Sequence, residues 1–339
     1  MPANLTPEYK AAEEGFRKAR DPKERLEWLR EMLRTIPKHK GTDHLQGDIK
    51  SRIKQLTEEL AGPKKGGTRG GPETVIHPEG AAQIALLGPP NSGKSALHAR
   101  LTGSHAPVGP FPFTTQFPQP GMLPFEDVYF QLIDLPPVVP EHPIAWLGNA
   151  LQPADACLLV LDLTEPASLE QITALREELR RKRIYLTADW RGGGGAEDDE
   201  SFLDPFAVVL PTLMLVSKAD RIGDPRAELA VFRELSGLDF PALAVSVETG
   251  AGLDELAPWL FRELGVVRVY TKAPGRPPDQ DRPFTVRRGA TVYDVALQVH
   301  RDVAEHLKYA RIWGRDHFDG QQVGRDQLLG DGDVLELHR

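Results

Sequence analysis

The sequence predicts an α/β protein in which a central domain with a mainly parallel sheet follows a helical hairpin and precedes a second, smaller mixed domain. Three observations support this prediction. Apolar strand-like runs alternate with helical patterns across residues 81–265, which is typical of a parallel sheet. Residues 1–61 have helically spaced apolar side chains, and residues 62–80 are rich in Gly and Pro. After residue 266 the apolar runs become short and surround one helical segment.

Length and composition set the outer limits of the interpretation. A chain of 339 residues is expected to form two or three domains, and 40% hydrophobic with 27% charged residues is the composition of a globular protein. No apolar run approaches the roughly 18 residues that span a bilayer, and the N-terminus lacks a signal-peptide pattern. We therefore expect a cytoplasmic protein without a membrane span. The single cysteine, Cys157, permits no internal disulfide.

Charge is distributed unevenly along the chain. Residues 1–70 carry 16 Lys or Arg against 11 Asp or Glu, whereas residues 71–265 carry 13 against 27. A basic segment beside an acidic domain is compatible with a contact to RNA or the ribosome, because phosphates attract Lys and Arg. The alternative, which the sequence leaves equally open, is a solvated face without a partner.

The N-terminal hairpin is predicted from two apolar patterns. The first runs from Pro7 to Ile36. The second steps by four, four, three and four residues, which places one apolar stripe on a helix; it consists of Leu45, Ile49, Ile53, Leu56 and Leu60. The Gly- and Pro-rich run at residues 62–80 predicts a flexible linker and a domain boundary.

The central domain, residues 81–265, is predicted to contain five strands: QIALLG, VYFQLIDL, ACLLVLDL, TLMLVS and ALAVS. Helices are predicted at residues 95–101, 168–182, 226–236 and 253–264. A Gly-rich acidic stretch at about 188–206 predicts a surface insertion whose carboxylates are solvated and bind no metal. The smaller domain, residues 266–339, has the strand-like runs VRVY, FTV, ARIW and VLELH around a helix near residues 292–306.

A phosphate-binding loop is predicted between the first strand and the first helix of the central domain. The run GPPNSGKS matches the pattern G-x-x-x-x-G-K-[ST] in the strand-loop-helix context that the pattern requires. Its backbone N–H groups are expected to bind phosphates, with Lys94 on the β and γ phosphates and the Ser95 hydroxyl on Mg²⁺. The predicted nucleotide-binding residues here are Gly88, Pro89, Pro90, Asn91, Ser92, Gly93, Lys94, Ser95 and Ala96.

A second motif predicts guanine as the base. Ser217-Lys218-Ala219-Asp220 directly follows a strand and resembles the [NT]-K-x-D motif. The Asp220 carboxylate can accept hydrogen bonds from the N1–H and the exocyclic amine of guanine, whereas adenine offers no donors there. The later run SVETG resembles a loop that supports the base, which adds Ser246, Val247 and Glu248 to the predicted contacts. These features favour GTP over ATP.

Two further motifs predict metal ligands. The run FPFTT at residues 111–115 places a Thr115 hydroxyl where it could reach Mg²⁺ and the γ phosphate, although a plain surface loop is the alternative for this run alone. Asp134, in the run DLPP after a strand, corresponds to the aspartate of a D-x-x-G motif. The predicted metal ligands are therefore Ser95, Thr115 and Asp134.

Taken together, these motifs resemble the Obg-like GTPases, and most closely the developmentally regulated GTP-binding family, over nearly the whole chain. Residues 35–45, TIPKHKGTDHL, resemble the joint of that family's N-terminal helical domain. Residues 269–279, 308–314 and 324–334 resemble its TGS domain. The resemblance implies a β-grasp fold at the C-terminus, used in relatives to contact ribosomes or RNA. It also implies a GTP/GDP switch with Mg²⁺. Hydrolysis is expected to be slow, because neither a glutamine nor an arginine in cis is available to assist it.

The chain also departs from the family pattern. Pro137 stands where D-x-x-G has a glycine, and proline has no N–H to sense the γ phosphate. Val138 follows, so no glutamine is there to orient water. These residues favour an alternative, a GTP-binding adaptor that does not hydrolyse its nucleotide. Ser217 replaces the usual Asn, which we expect to weaken the guanine contact.

Asn91 supports a catalytic role instead. An Asn three residues before the loop lysine could help to bind K⁺, which would offset charge in the transition state; alternatively, Asn91 only shapes the loop. The predicted catalytic residues are Lys94, Thr115 and Asn91.

The C-terminal domain leaves one question open. Four of its polar and aromatic residues could form a contact surface, or the aromatic ones could pack in the small core. They are Tyr270, Lys308, Arg311 and Trp313.

Overall fold

The computed structural model describes residues 5–19, 22–38, 40–60, 76–104, 116–190, 204 and 206–339. The predicted switch run at 111–115, with Thr115, lies outside these residues, as do the linker residues 62–75 and most of the Gly-rich stretch. The chain divides into two compact units: Met1–His77 with Glu197–Ala207, and Pro78–Ala196 with Val208–Arg339.

The first unit is helical. It contains α1 (Pro7–Lys18), α2 (Pro22–Thr35) and α3 (Asp43–Leu60). The hairpin prediction treated residues 7–36 as one arm, and in this respect it was wrong. Pro22 begins α2, because proline lacks an N–H and disfavours helical conformation in the residue before it. The first arm is therefore two helices.

Aromatic side chains form the centre of this helical unit. Tyr9 is fully buried and Phe16 nearly so, and the Phe16 ring meets the Phe206 ring edge-on at a centroid distance of 5.8 Å. Gly15 allows α1 to approach α2, since a Cβ atom at this position would lie 2.5 Å from the Trp28 ring.

The second unit contains the predicted sheet. Its strands are β1 (Ala82–Leu87), β2 (Gln119–Phe125), β3 (Val128–Asp134), β4 (Ala156–Leu161), β5 (Ile184–Thr187), β6 (Val208–Val216) and β7 (Ala242–Ala244). Their order is β2-β3-β1-β4-β6-β5, with β7 also paired to β6. The pairings are parallel except for β2 with β3. Every residue of β1 and β4 is buried, as expected for strands covered on both faces.

Helices cover this sheet close to the predicted positions. They are α4 (Lys94–Thr102), α5 (Leu147–Leu151), α6 (Ser168–Arg181), α7 (Pro225–Ser236) and α8 (Leu253–Glu263). The α/β prediction and its five strands are confirmed, whereas α5, β2 and β5 were not predicted. β2 contains Pro120 and Pro124, and its position at the edge of the sheet tolerates prolines that a central strand would exclude.

The C-terminal sheet contains β8 (Val266–Thr271), β9 (Asp279–Arg287), β10 (Tyr309–Trp313), β11 (Gln321–Val323) and β12 (Asp333–His338). The strand order is β11-β10-β12-β8-β9. Two helices, α9 (Val292–Val299) and α10 (Arg301–Glu305), replace the single predicted helix. They meet at His300, whose extended backbone interrupts the helical path and whose ring caps α10. The helices and one sheet face share a core.

Candidate functional site

The loop between β1 and α4 has the backbone that a phosphate-binding loop requires. Gly88 has φ 156°, and a Cβ atom there would lie 2.3 Å from the Val160 carbonyl oxygen of β4. Gly93 caps α4 with φ 92°, and Asn91 has φ 59°. Glycine adopts such angles without strain, and asparagine tolerates them better than most residues. The sequence therefore fits a tight turn whose last residues open directly into a helix N-terminus.

Lys94, the first residue of α4, is held inside this loop. Its Nζ atom donates hydrogen bonds to the carbonyl oxygens of Gly88 (3.0 Å) and Pro89 (2.8 Å), and Ser92 Oγ lies 3.5 Å away. Burial lowers the pKa of Lys94 to about 8, and the negative charge of Asp134 opposes this shift. An ammonium group has three donors and no acceptor, so oxygen atoms are its natural partners. Phosphate oxygens are acceptors of the same kind.

Ser95 and Asp134 bring a hydroxyl and a carboxylate together beside Lys94. Ser95 Oγ donates to Asp134 Oδ2 at 2.7 Å, and Asp134 is buried at the end of β3. Both are oxygen donors of the kind that Mg²⁺ prefers, and Mg²⁺ typically takes few protein ligands alongside phosphates and water. Within the described part of the chain no cluster of three or more His, Cys, Asp or Glu residues could hold a metal. The two residues therefore fit a Mg²⁺ ion that is shared with a nucleotide.

Ser217 connects the second motif to the phosphate-binding loop. Its hydroxyl lies 2.7 Å from the Ser92 carbonyl oxygen and 3.0 Å from that of Leu161, and the residue is buried. A serine here thus ties the end of β6 to the loop and to β4.

Lys218 makes a second connection to the loop. It has a left-handed backbone, φ 54°, and its Nζ donates to the Asn91 carbonyl oxygen at 3.1 Å and to Asp162 Oδ2 at 2.5 Å. Thr164 donates to the other carboxylate oxygen from its N–H and its hydroxyl. Burial raises the pKa of Asp162, but the hydrogen bonds from Lys218 and Thr164 lower it by more. The pKa of Asp162 is therefore below its ordinary value.

Asp162 was not predicted as a site residue. A signal for it was available, because Asp162 directly follows β4, and ligands of open α/β sheets bind at the carboxyl ends of the strands.

The residue expected to read the base, Asp220, is held by the SVETG loop. Ser246 Oγ donates to Asp220 Oδ1 at 2.5 Å and accepts from the N–H of Thr249 at 3.1 Å. Ser246 is fully buried, while Val247 is half-buried and Glu248 is exposed. One carboxylate oxygen of Asp220 is therefore fixed in place, and the other lies 4.0 Å from Arg221 Nε.

Comparisons with known proteins agree with this geometry. Residues 83–188 match the family described as 50S ribosome-binding GTPase, and residues 267–339 match the TGS domain. The chain is 29% identical over 365 residues to an uncharacterized GTP-binding protein of Methanocaldococcus jannaschii, covering 93% of this chain and 92% of that one. It is also 29% identical over 361 residues to developmentally-regulated G-protein 2 of Arabidopsis thaliana, covering 91% and 88%.

The chain is similar over nearly its whole length to developmentally regulated GTP-binding proteins. A solved structure, the YchF GTPase of Schizosaccharomyces pombe, has a related fold at 12% identity, with a TM-score of 0.52 over 77% of this chain and 98% of that one. The predicted resemblance to the developmentally regulated GTP-binding family, with a GTPase domain and a TGS domain, is confirmed.

Two of the departures from the motifs of these relatives, Pro137 and Val138, lie just after Asp134 in the chain. Residues 135–138 are buried, and Val138 is 4% exposed. No side chain of this segment is polar, so none of them can orient a water molecule. The predicted residues therefore converge on one edge of the sheet, with the exception of Thr115, which lies outside the described residues. Their contacts with a nucleotide remain a prediction.

Proposed function

We propose that this protein binds GTP and GDP with Mg²⁺ at the carboxyl edge of its central sheet, hydrolyses GTP slowly and acts as a nucleotide switch. The observation that carries the proposal is the pairing of two sites across one loop. Ser95 and Asp134 lie 2.7 Å apart on one side, and Asp220 is fixed by Ser246 on the other. The Lys94 ammonium is held within the loop, and Ser217 and Lys218 join this loop to the second motif.

Each group has a separate role in this proposal. The backbone N–H groups from Asn91 to Lys94, with the Lys94 ammonium, bind the phosphates; Pro89 and Pro90 have no N–H to contribute. Ser95, Asp134 and Thr115 hold Mg²⁺, which when bound neutralises charge on the β and γ phosphates. Asp220 accepts two hydrogen bonds from guanine.

Hydrolysis is expected to be slow without a partner. Val138 offers no group to orient water, and rates on the order of 10⁻⁴ per second are typical of an unassisted GTPase. Asn91 is proposed to help to bind K⁺ beside the phosphates, where a cation would offset charge in the transition state. Its exposed side chain and a backbone carbonyl fixed by Lys218 are compatible with this role.

The partner is proposed to be the ribosome or RNA, contacted by the N-terminal helical unit and the TGS domain. The match to a family described as ribosome-binding and the basic excess of residues 1–70 support this. No described helix is both long and apolar enough to cross a membrane, and we propose a cytoplasmic location.

Competition between nucleotides tests the base assignment. With Mg²⁺ present, GTP should displace a fluorescent GTP analogue at concentrations roughly 10³-fold or more below those that ATP requires, because a site built on hydrogen bonds rejects a base that cannot make them. Asp220→Asn should shift the preference toward xanthine nucleotides. Equal competition by ATP, or an unchanged preference in the variant, would sink the guanine assignment.

Single-turnover hydrolysis in K⁺ and in Na⁺ at equal ionic strength tests the catalytic assignment. Faster hydrolysis in K⁺, lost in Asn91→Ala, is the expected result. Tight GTP binding without turnover in either salt would favour the second candidate, a non-hydrolysing adaptor, for which Pro137 is the specific observation. In that case Pro137→Gly should leave the protease sensitivity of the GDP- and GTP-bound forms unchanged, whereas a working switch should respond.

A further inference from the structure

The TGS sheet has a second face that its helices do not cover. Val269, Ala310, Ile312 and Leu335 point into the core shared with α9 and α10. Side chains alternate across a strand, so the residues between them point the other way. We call this surface the aromatic face; it comprises Lys272, Tyr309, Arg311, Trp313, Glu336 and His338. The sequence left open whether Trp313 packs in the small core. Neither Trp313 nor Arg311 belongs to the buried core.

The rings of the aromatic face are ordered by their neighbours. Tyr309 and His338 are opposite each other in the β10–β12 register, and their rings stack at 4.5 Å with an interplanar angle of 12°. The Lys272 ammonium lies 4.2 Å from the centre of the Trp313 ring. Arg311 is exposed and lies between the two ring sites on β10. Neighbours on one face of a strand are about 6.8 Å apart, so the ring sites lie in a row with a cation between them.

The exposed charge on the strands of this face is positive. Its carboxylate, Glu336, is 5% exposed. Lys272 Nζ lies 3.2 Å from one Glu336 oxygen and His338 Nε2 lies 2.8 Å from the other. Burial raises the pKa of Glu336, but the hydrogen bonds from His338 and Lys272 bring it below its usual value. Glu336 is thus ionised, covered and neutralised, and it holds two of the face's side chains in place.

We propose that the aromatic face binds single-stranded RNA, with bases stacked on Trp313 and on the Tyr309–His338 pair, and with Arg311 on phosphates. Stacking on aromatic rings and cations for the backbone are what single-stranded nucleic acids require, and sheet surfaces with aromatic rings bind splayed bases in this way. An acidic protein surface is the alternative occupant, since Tyr, Trp and Arg are also enriched in protein interfaces, and binding of polyglutamate is the outcome of the test that would favour it. This assignment rests on the RNA contact proposed above for the TGS domain. It specifies the surface that makes the contact and single-stranded RNA as its ligand.

The test uses the full-length protein and a short fluorescein-labelled single-stranded RNA of mixed sequence, followed by fluorescence anisotropy. Trp313→Ala and Arg311→Glu should each weaken binding roughly ten-fold or more. Arg301→Glu is the matched control, because it makes the same change of charge on the exposed surface of α10, on the helix side of the sheet. It should change affinity less than about two-fold.

A ring-specific readout guards against a folding artefact. Trp313→Phe should retain most of the affinity because it retains a ring for stacking, but the RNA-induced quenching of tryptophan fluorescence should fall. Equal loss in the Arg301 and Arg311 variants, or equal binding of polyglutamate or of the same RNA as a duplex, would overturn the proposal. GTP binding measured on the same samples distinguishes failure of the nucleotide-binding proposal from failure of the RNA-binding proposal. If GTP binds and RNA does not, only the role of the aromatic face is refuted.

Discussion

Arg268 of β8 pairs with Asp127, which lies in the turn between β2 and β3, at 3.0 Å. The same guanidinium contacts Glu126 and, at 2.7 Å, Asp331, and it lies 5.0 Å from the centre of the Phe261 ring. Tyr270 also donates to Asp127. β2 and β3 form the hairpin that ends at Asp134, one of the predicted Mg²⁺ ligands, and Asp134 pairs in register with Gln119. The TGS sheet is therefore fixed to the turn at one end of β3, and Asp134 lies at the other end of that strand.

The first prediction concerns the stability of this contact. Arg268→Ala should lower the free energy of unfolding by about 1–2 kcal/mol, because it leaves the half-buried Asp127 without its charged partner. The pairs with the exposed Glu126 and Asp331 are screened by solvent and contribute less. Arg268→Lys should recover only part of the loss, since an ammonium cannot serve two carboxylates with the geometry of a guanidinium fork. Urea denaturation measures both. Arg301→Ala, which removes an exposed helix pair, should cost less than about 0.5 kcal/mol; a comparable loss there would contradict the assignment.

The same cluster predicts a dependence on pH. Burial raises the pKa of Asp127 and of Asp331, but hydrogen bonds, chiefly from Tyr270 and Arg268 for Asp127 and from Arg268 for Asp331, bring both below the ordinary value of 3.8. A carboxyl group with a depressed pKa in the folded state stabilises the protein above its unfolded pKa and loses that contribution as pH falls through the folded value. The stability difference between the wild type and Arg268→Ala should therefore be constant above about pH 5 and shrink below the ordinary pKa. A difference that is unchanged at pH 3 would argue against ionised carboxylates in this cluster.

The third prediction concerns Asp162. Asp162→Asn should weaken GTP binding by roughly ten-fold, which corresponds to about 1.4 kcal/mol, because it removes the charge that holds Lys218 against the Asn91 carbonyl. Charged hydrogen bonds contribute about 1.5–3 kcal/mol, and the partial exposure of Lys218 reduces this. Glu165→Gln makes the same charge change at an exposed position and should leave affinity within two-fold. Equal affinities in the two variants, measured by fluorescent nucleotide titration, would exclude a positioning role for Asp162.

Much of the central fold could be predicted from the sequence, because the buried parallel strands are largely apolar runs. β4 is apolar throughout, and β1 is apolar from Ile84 to Leu87. β2 was missed because Pro120 and Pro124 read as loop residues, and an edge strand tolerates them only because its neighbour lies on one side. The break at Pro22 was available in the sequence, but the apolar spacing from Pro7 to Ile36 concealed it.

The candidate site likewise contains residues that local sequence patterns predict and residues whose contacts depend on the fold. The glycines of the loop and Lys94 have local patterns, and the backbone angles of Gly88 and Gly93 agree with them. Asp162 was not predicted because its partner Lys218 is distant in sequence and meets it only when β4 and β6 pair. The contact between Arg268 and Asp127 likewise depends on how two sheets meet, which no local pattern encodes.

The last prediction concerns Lys94. Burial lowers its pKa to about 8 in the nucleotide-free protein, and binding to phosphate requires the ammonium form. Above that pH a proton must be taken up before the complex forms, so GTP affinity should fall by up to ten-fold per pH unit between pH 8 and 9.5. Lys94→Ala should abolish tight binding at every pH.

The sign follows from which state holds the proton. The bound ammonium, surrounded by phosphate oxygens, keeps its proton to higher pH than the free one does, so raising the pH favours the free protein. Lys94→Arg provides the control, because a guanidinium stays charged throughout this range; its affinity is expected to be lower but nearly independent of pH. If wild-type affinity stayed flat between pH 7 and 9.5, the neutral form of Lys94 would not be populated, and the loop carbonyls at 3.0 Å and 2.8 Å would be strong enough acceptors to offset the effect of burial.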